Sequence, residues 1–232
     1  GAAVLAAAWT LARNVGALTR EWHGFNVLHT AAARVGGLDI GFLPGPEGRD
    51  LHGILDGARS GEVEVVFSLG ADELDPADLG RAVLVHIGTH GGRMAARADV
   101  LLPGAAYTEK DATFVNTEGR VQRTERAVFP PGEGREDWAI IRALSEALGR
   151  TLPYDTIDEL RARLATEARL AQPIGGGCID LAGPSGDPAA MSETAFTSPI
   201  RDFWRTDPIS RASPTMAECS ALFAAPQAMA AE

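Results

Sequence analysis

Three short apolar runs constrain this chain more than any other feature. They are Val63 to Leu69, Ala82 to Ile87 and Ala98 to Leu102. Each is rich in Val, Ile and Leu, and each ends at glycine or at Pro103-Gly104. Continuous runs of this length fit strands buried on both faces rather than one-sided, alternating strands. Between them lie Pro76 to Leu79 and Met94 to Arg97, long enough for a helical turn each. Strand, turn of helix, strand, turn of helix, strand is the order of a parallel sheet. The spacing predicts an α/β fold: a doubly wound, mostly parallel sheet with flanking helices. Ligands in such sheets sit beyond the carboxyl ends of the strands. The loops after Leu69 and Ile87 are therefore the places to look. Gly70, Gly88, Gly91 and Gly92 would leave backbone amides there for an anion, although tight turns need the same glycines.

The flanking sequence supplies helices. Gly1 to Ala12 is Ala-rich and predicts a helix. No basic segment precedes its apolar residues, so it does not look like a targeting signal. The pattern Trp22, Phe25, Leu28, Ala32 predicts a second helix to Val35, stopped by Gly36-Gly37. Gly36 to Arg49 reads as a loop. Asp50 is placed to cap a helix through Ile54, Leu55 and Ala58, ended by Gly61. Beyond the sheet, Thr113 to Val115 and Val121 to Thr124 flank a turn containing Gly119, which predicts a β-hairpin. A helix is expected from Arg135 to Leu148, with Trp138, Ile141, Leu144 and Leu148 as its apolar stripe. Asp155 is expected to cap another, carrying Ile157, Leu160 and Leu164. Glycine-rich residues 171–196 read as a flexible linker between a domain over 1–170 and a tail over 197–232. The tail lacks regular periodicity until Thr215 to Ala224, a possible short helix. It is expected to lie extended, with Phe203 and Trp204 as anchors on a neighbouring surface.

Bulk properties exclude several functions. A net charge of −10 argues against a nucleic-acid-binding face, which needs clustered cations. No apolar stretch has the length of a membrane span. The two cysteines, Cys178 and Cys219, make no CxxC pattern and no disulfide framework. His23 and His29 read as solvated or core-edge histidines. His86 and His90 are four apart, but a strand followed by Gly88 does not put both rings on one helical face. His90 has no nucleophile signature beside it, and no Gly-x-Ser-x-Gly or Walker-type loop is present. The residues thus nominate no catalytic, cofactor-binding or metal-binding side chain. The chain begins at Gly1 rather than Met and reads as a processed product or as the C-terminal piece of something longer.

One string of motifs carries a resemblance. Ala98 to Pro103 is followed by Tyr107-Thr-Glu-Lys-Asp-Ala-Thr-Phe-Val-Asn-Thr-Glu-Gly-Arg120. Later come Arg135-Glu-Asp-Trp-Ala-Ile-Ile-Arg142, Thr151-Leu-Pro-Tyr-Asp155 and Asp202-Phe-Trp-Arg-Thr-Asp-Pro208. The first part is similar to molybdopterin-oxidoreductase-type proteins. The whole, in this order, resembles the large iron-sulfur subunit (75 kDa or G-type) of respiratory complex I, NADH–quinone oxidoreductase. The resemblance implies the C-terminal portion of that subunit, with a non-catalytic scaffold role in the peripheral arm that passes electrons from NADH to quinone. It implies neighbours that bind NADH, flavin and clusters. It also implies a place on the cytoplasmic face of the bacterial inner membrane, or on the matrix side in mitochondria. The [2Fe–2S] and [4Fe–4S] clusters it implies belong to an N-terminal part. Each cluster takes about four thiolate or imidazole ligands, and two isolated cysteines cannot supply them. The alternative is the cofactor-clasping end of a catalytic, formate dehydrogenase-like molybdopterin oxidoreductase. On either reading Asn116, Glu118 and Arg120 are expected to fix the hairpin rather than to catalyse.

Overall fold

The computed structural model describes residues 1–19, 24–167, 186–198, 200 and 202–223. Two compact units divide the chain: residues 1–41, 113–122 and 165–199 form one, and residues 42–112, 123–164 and 200–232 the other. His23, Trp22, Cys178 and most of the expected linker lie outside the described residues.

In the first unit, helix α1 (Ala2–Asn14) buries Ala6 and Trp9. The Trp9 ring meets Phe25 edge to face at 5.4 Å. The helix expected over Trp22 to Val35 is not there: residues 24–30 are irregular, and α2 spans Arg34–Asp39. Gly36 and Gly37, expected to stop a helix, lie inside one. Phe25 is spent on Trp9, and Leu28, its partner in the apparent stripe, stands in water. Asn26, His29 and Thr30 are weak helix formers, so nothing local resists this outcome. Gly36 in turn faces Val115: a Cβ added there would lie 3.5 Å from the valine Cγ2.

In the second unit, α3 (Leu51–Ser60) has the ends its sequence predicts. Asp50 accepts a hydrogen bond from the Gly53 amide at 2.8 Å, and Gly61 closes the helix at φ +86°. Strands β1 (Val65–Leu69), β2 (Val83–Gly88) and β3 (Val100–Pro103) form a parallel sheet in that order. A 3-10 turn (Pro76–Leu79) and α4 (Arg93–Arg97) connect them. The α/β class with a parallel sheet is thus what the chain builds. Val66, Ser68, Leu84 and His86 point to one face, in the register Val66 to Leu84 and Ser68 to His86. Leu84 on that face packs with Leu55, Leu79 and Met94 to make the core. Asp99 ties the strand starts together, accepting from the Leu84 amide at 2.8 Å while its own amide donates to the Leu84 carbonyl.

β4 (Ala112–Val115) and β5 (Val121–Thr124) pair as the expected hairpin. α5 (Asp137–Ala147) and α6 (Ile157–Glu167) follow. Thr156, not Asp155, caps α6. Its hydroxyl accepts from the Glu159 amide, and the Glu159 carboxylate accepts from the Thr156 amide. Asp155 is instead held by Arg142 at 2.8 Å.

The C-terminal segment departs most from expectation. From Phe203 to Phe223 it is not extended, and the short helix expected over Thr215 to Ala224 is present. A 3-10 turn (Phe203–Arg205) leads to α7 (Pro208–Ala212) and α8 (Pro214–Phe223). Two of these elements begin with proline at a first-turn position, directly after Asp207 or Ser213. Asp202 accepts from the Trp204 amide, and Asp207 and Ser210 make a reciprocal capping box. Caps, rather than apolar periodicity, nucleate these short helices.

Candidate functional site

The carboxyl end of the sheet is where an α/β fold of this kind would hold a ligand. Its chemistry starts from the register. Ser68 and His86 are ladder neighbours on the same face, both buried. The Ser68 hydroxyl donates to the Ala71 carbonyl at 2.7 Å. Its lone pairs remain for His86, whose Nδ1 lies 3.2 Å away. The serine proton is already committed, so Nδ1 carries the hydrogen and donates to Ser68 Oγ. Burial lowers the imidazole pKa, against the opposing pull of the Asp72 carboxylate, so His86 sits neutral. Serine, histidine and aspartate therefore gather here without forming a nucleophilic relay. In such a relay the histidine takes the serine proton and the acid orients the ring. Here the proton goes to a backbone carbonyl.

The His86 ring lies across Gly88, two residues on along the same face. A Cβ at Gly88 would stand 2.4 Å from His86 Nε2, so glycine is required to seat the ring. The loop after β1 is closed in its own way. Gly70, at φ +63°, donates its amide to the Ile87 carbonyl instead of leaving it for an anion. Asp72 pairs with Arg211 of α7 across 139 positions of sequence. The other Asp72 oxygen, Oδ1, is buried without a hydrogen-bond partner. His90, in the loop after β2, has its Nδ1 2.9 Å from the hydroxyl of its neighbour Thr89. A Cβ at Gly91 or Gly92 would meet open space.

The motif residues after β3 brace the backbone. Glu109 accepts from the Ala106 amide at 2.9 Å and returns its own amide to the Ala106 carbonyl. Lys110 pairs with Asp137 at the start of α5, and Asp111 accepts from the Arg126 amide at 2.9 Å. Asn116 alone organises the hairpin turn, as an Asx side chain can. Its Oδ1 accepts from the amides of Glu118 and Arg120 at 3.0 and 2.9 Å. Arg120 serves the turn by its backbone amide, and its side chain is exposed.

The sequence singled out the loops after Leu69 and Ile87 but not Ser68, Asp72 or Arg211. Ser68 and His86 are polar residues at inward strand positions, a signal that was present. Their pairing needs the register, and Arg211 is too distant in sequence for any local pattern.

Comparison with known proteins places this geometry in a family. The molybdopterin oxidoreductase family model matches residues 1–147, more than half of the chain, and the chain belongs to that family. A second model, for the C-terminal region of the G-type subunit of NADH-ubiquinone oxidoreductase, matches residues 179–219. The 78 kDa subunit of mitochondrial NADH-ubiquinone oxidoreductase from Candida albicans is 44% identical over 217 residues, covering 88% of this chain and 28% of that protein. Its counterpart from Neurospora crassa is 43% identical over 218 residues, covering 88% and 27%. The 75 kDa subunit from Reclinomonas americana is 38% identical over 226 residues, covering 96% and 32%. The chain thus spans between a quarter and a third of the length of these relatives. Among solved structures, acetylene hydratase from Pelobacter acetylenicus aligns over 52% of this chain and 18% of its own, at 19% identity and a TM-score of 0.41.

The family implies a pyranopterin cofactor, and the residues here do not fit one in its dinucleotide form. Its diphosphate is anionic, whereas the loop after β1 presents Asp72, Glu73 and Asp75, with Arg211 already paired to Asp72. The space over Gly88 is filled by His86. Among the described residues, no group of three or more His, Cys, Asp or Glu is arranged to hold a metal ion.

Proposed function

We propose that this chain is the scaffold domain of a large complex I-type subunit, supporting the peripheral arm of an NADH–quinone oxidoreductase without itself carrying electrons. The observation that carries this reading is the closed strand-end crevice. His86 pairs with Ser68, whose hydroxyl donates to the Ala71 carbonyl, and Arg211 pairs with Asp72, so these strand-end groups are spent on the fold. Identity of 38–44% to 75 and 78 kDa subunits along most of the chain supports the same assignment. Iron-sulfur clusters then belong to other parts of the subunit, because two cysteines cannot ligate one. Partners are the neighbouring subunits of the arm, at the membrane-associated side where NADH is oxidised. No helix among the described residues is long and apolar enough to cross a membrane. The role of this domain is to hold shape: Glu109, Lys110, Asp111 and Asn116 spend their polar groups on backbone and helix ends.

The test is turnover against assembly. In purified complex carrying Ser68→Ala or His86→Gln, NADH oxidation per flavin is expected to equal that of the parent, with the subunit less heat-stable. Normal assembly with lost turnover would overturn the scaffold assignment. The family match over residues 1–147 keeps one other reading in play, the cofactor-clasping end of a molybdenum oxidoreductase. Stoichiometric molybdenum in the purified assembly would establish that reading instead.

A further inference from the structure

The loop after β1 sets a carboxylate into the carboxyl end of the sheet. Asp72 is 14% exposed, and its Oδ1 is buried without a hydrogen-bond partner among the described residues. The adjoining side chains add charge of the same sign. Glu73 accepts from the Asp72 amide at 3.2 Å, and Asp75 lies 3.7 Å from Arg93. The cation that answers Asp72 comes from α7. Arg211 spreads its guanidinium between two acceptors: Nη2 donates to Asp72 Oδ2, and Nη1 donates to the Arg205 carbonyl at 3.4 Å. Arg205 in turn donates from its own Nη2 to the Arg211 carbonyl, also at 3.4 Å. One planar group thus pins the β1 loop, the 3-10 turn at Phe203 and α7 together. Asp72, Arg205 and Arg211 all belong to the second compact unit.

A buried carboxylate stripped of its cation is left as an uncompensated charge, which is strongly unfavourable. The shape of the cation is fixed as well as its sign, because the two acceptors stand on different sides of it. A guanidinium meets both through donors held in a rigid, planar fork. An ammonium is a compact point charge on a flexible stem and does not hold that geometry. The free Oδ1 leaves a further acceptor for the same fork. We propose that the carboxyl end of the parallel sheet is a guanidinium-binding site whose tethered occupant is Arg211, and that a free alkylguanidinium enters it when that side chain is removed. The C-terminal helices dock through this site. The assignment is independent of the scaffold reading, because it is read by binding and docking rather than by turnover.

The experiment titrates the 232-residue chain carrying Arg211→Ala with methylguanidinium and, separately, with methylammonium. Calorimetry reads binding, and hydrogen exchange at the α7 and α8 amides reads docking. Arg211→Ala is expected to speed that exchange several-fold. Methylguanidinium is expected to bind saturably at a single site and to return most of the lost protection, as a ligand selective for the docked state does. Methylammonium is expected to do neither. Absence of saturable binding overturns the proposal, and so does equal rescue by methylammonium. Adding Asp72→Asn to Arg211→Ala is expected to abolish binding. Methylguanidinium that still binds this double variant sits elsewhere, and the site falls. Arg211→Lys decides the matter even if the alanine variant cannot keep α7 and α8 folded. It retains the charge and loses the fork, so exchange in α7 is expected to stay faster than in the unsubstituted chain. Equal exchange would show that any cation serves and would overturn the guanidinium assignment.

Discussion

The parallel sheet and the C-terminal helices are held by different physics. The sheet core rests on burial: Leu79, Leu84 and Met94 are inaccessible to water, and each neighbour excludes it from the next. In the C-terminal segment, Phe203 to Phe223, no residue is fully buried. Its order comes from caps, from Ser220 donating to Asp202, from Trp204 lying between Phe203 and Phe223, and from one ion pair to Asp72. Burial scales with area and makes a cooperative unit. Caps and single ion pairs contribute about 1 kcal/mol each and act locally. The sheet should therefore unfold as a whole, and the C-terminal helices should release one anchor at a time.

The strongest break of this contrast is Leu84→Ala. It empties the centre of the core and is expected to cost about 2–5 kcal/mol. Denaturant unfolding followed at the sheet should show it, and a loss under ~1 kcal/mol would mean the core is not the organising element.

Arg211→Ala tests the other region. It leaves the Asp72 carboxylate, only 14% exposed, without its cation. The expected cost is about 1–3 kcal/mol, appearing as faster hydrogen exchange in α7 and α8 with strands β1 to β3 unchanged. If the strand amides exchange faster as well, the two regions form one cooperative unit and the contrast fails.

Acid should separate the regions by pH window. The folded-state pKa of His86 is lowered by burial. As pH falls below about 6.5 the unfolded imidazole takes a proton that the folded one refuses. The sheet therefore loses stability from there downward, through the folded pKa. The Asp207 carboxyl is also lowered, chiefly by the Ser210 amide. Its contribution is full above the ordinary carboxylate range, near about pH 4, and is lost as pH falls through its folded value. Sheet and C-terminal probes read against pH should give two separate onsets. His86→Gln should erase the upper one.

The smallest effect is expected at Phe203, 74% exposed. Phe203→Ala should change the stability of the isolated chain by no more than ~0.5 kcal/mol. A larger loss would show that the aromatic contact with Trp204 holds the segment as burial holds the sheet.

Comparing sequence and structure explains which parts were legible. The three strands were visible because a buried parallel strand needs an unbroken apolar run. Asp50 and Gly61 were visible because a helix end is decided by two or three neighbouring residues. In the C-terminal segment the helix expected over Thr215 to Ala224 is present as α8, whereas α7 and the turn at Phe203 are not expected from periodicity. Asp207-Pro208 announces the α7 start just as locally, but apolar periodicity there is weak. The opposite error occurred at Trp22 to Val35. There the period looked helical, and the contact of Phe25 with Trp9 decided otherwise.

By itself, the sequence determined the α/β class, the order of the elements of the parallel sheet, the hairpin and the family. These follow from apolar runs, caps, turns and motif order, all of them short-range. The tertiary structure alone decided that Ser68 faces His86, that Gly88 seats the imidazole, and that Arg211 reaches Asp72. It also decided which face of the sheet is covered. Each of these depends on strand register or on contacts between residues far apart in the chain. Such contacts form only when closing a long loop is repaid by burial and charge pairing, and no local window of sequence records that balance.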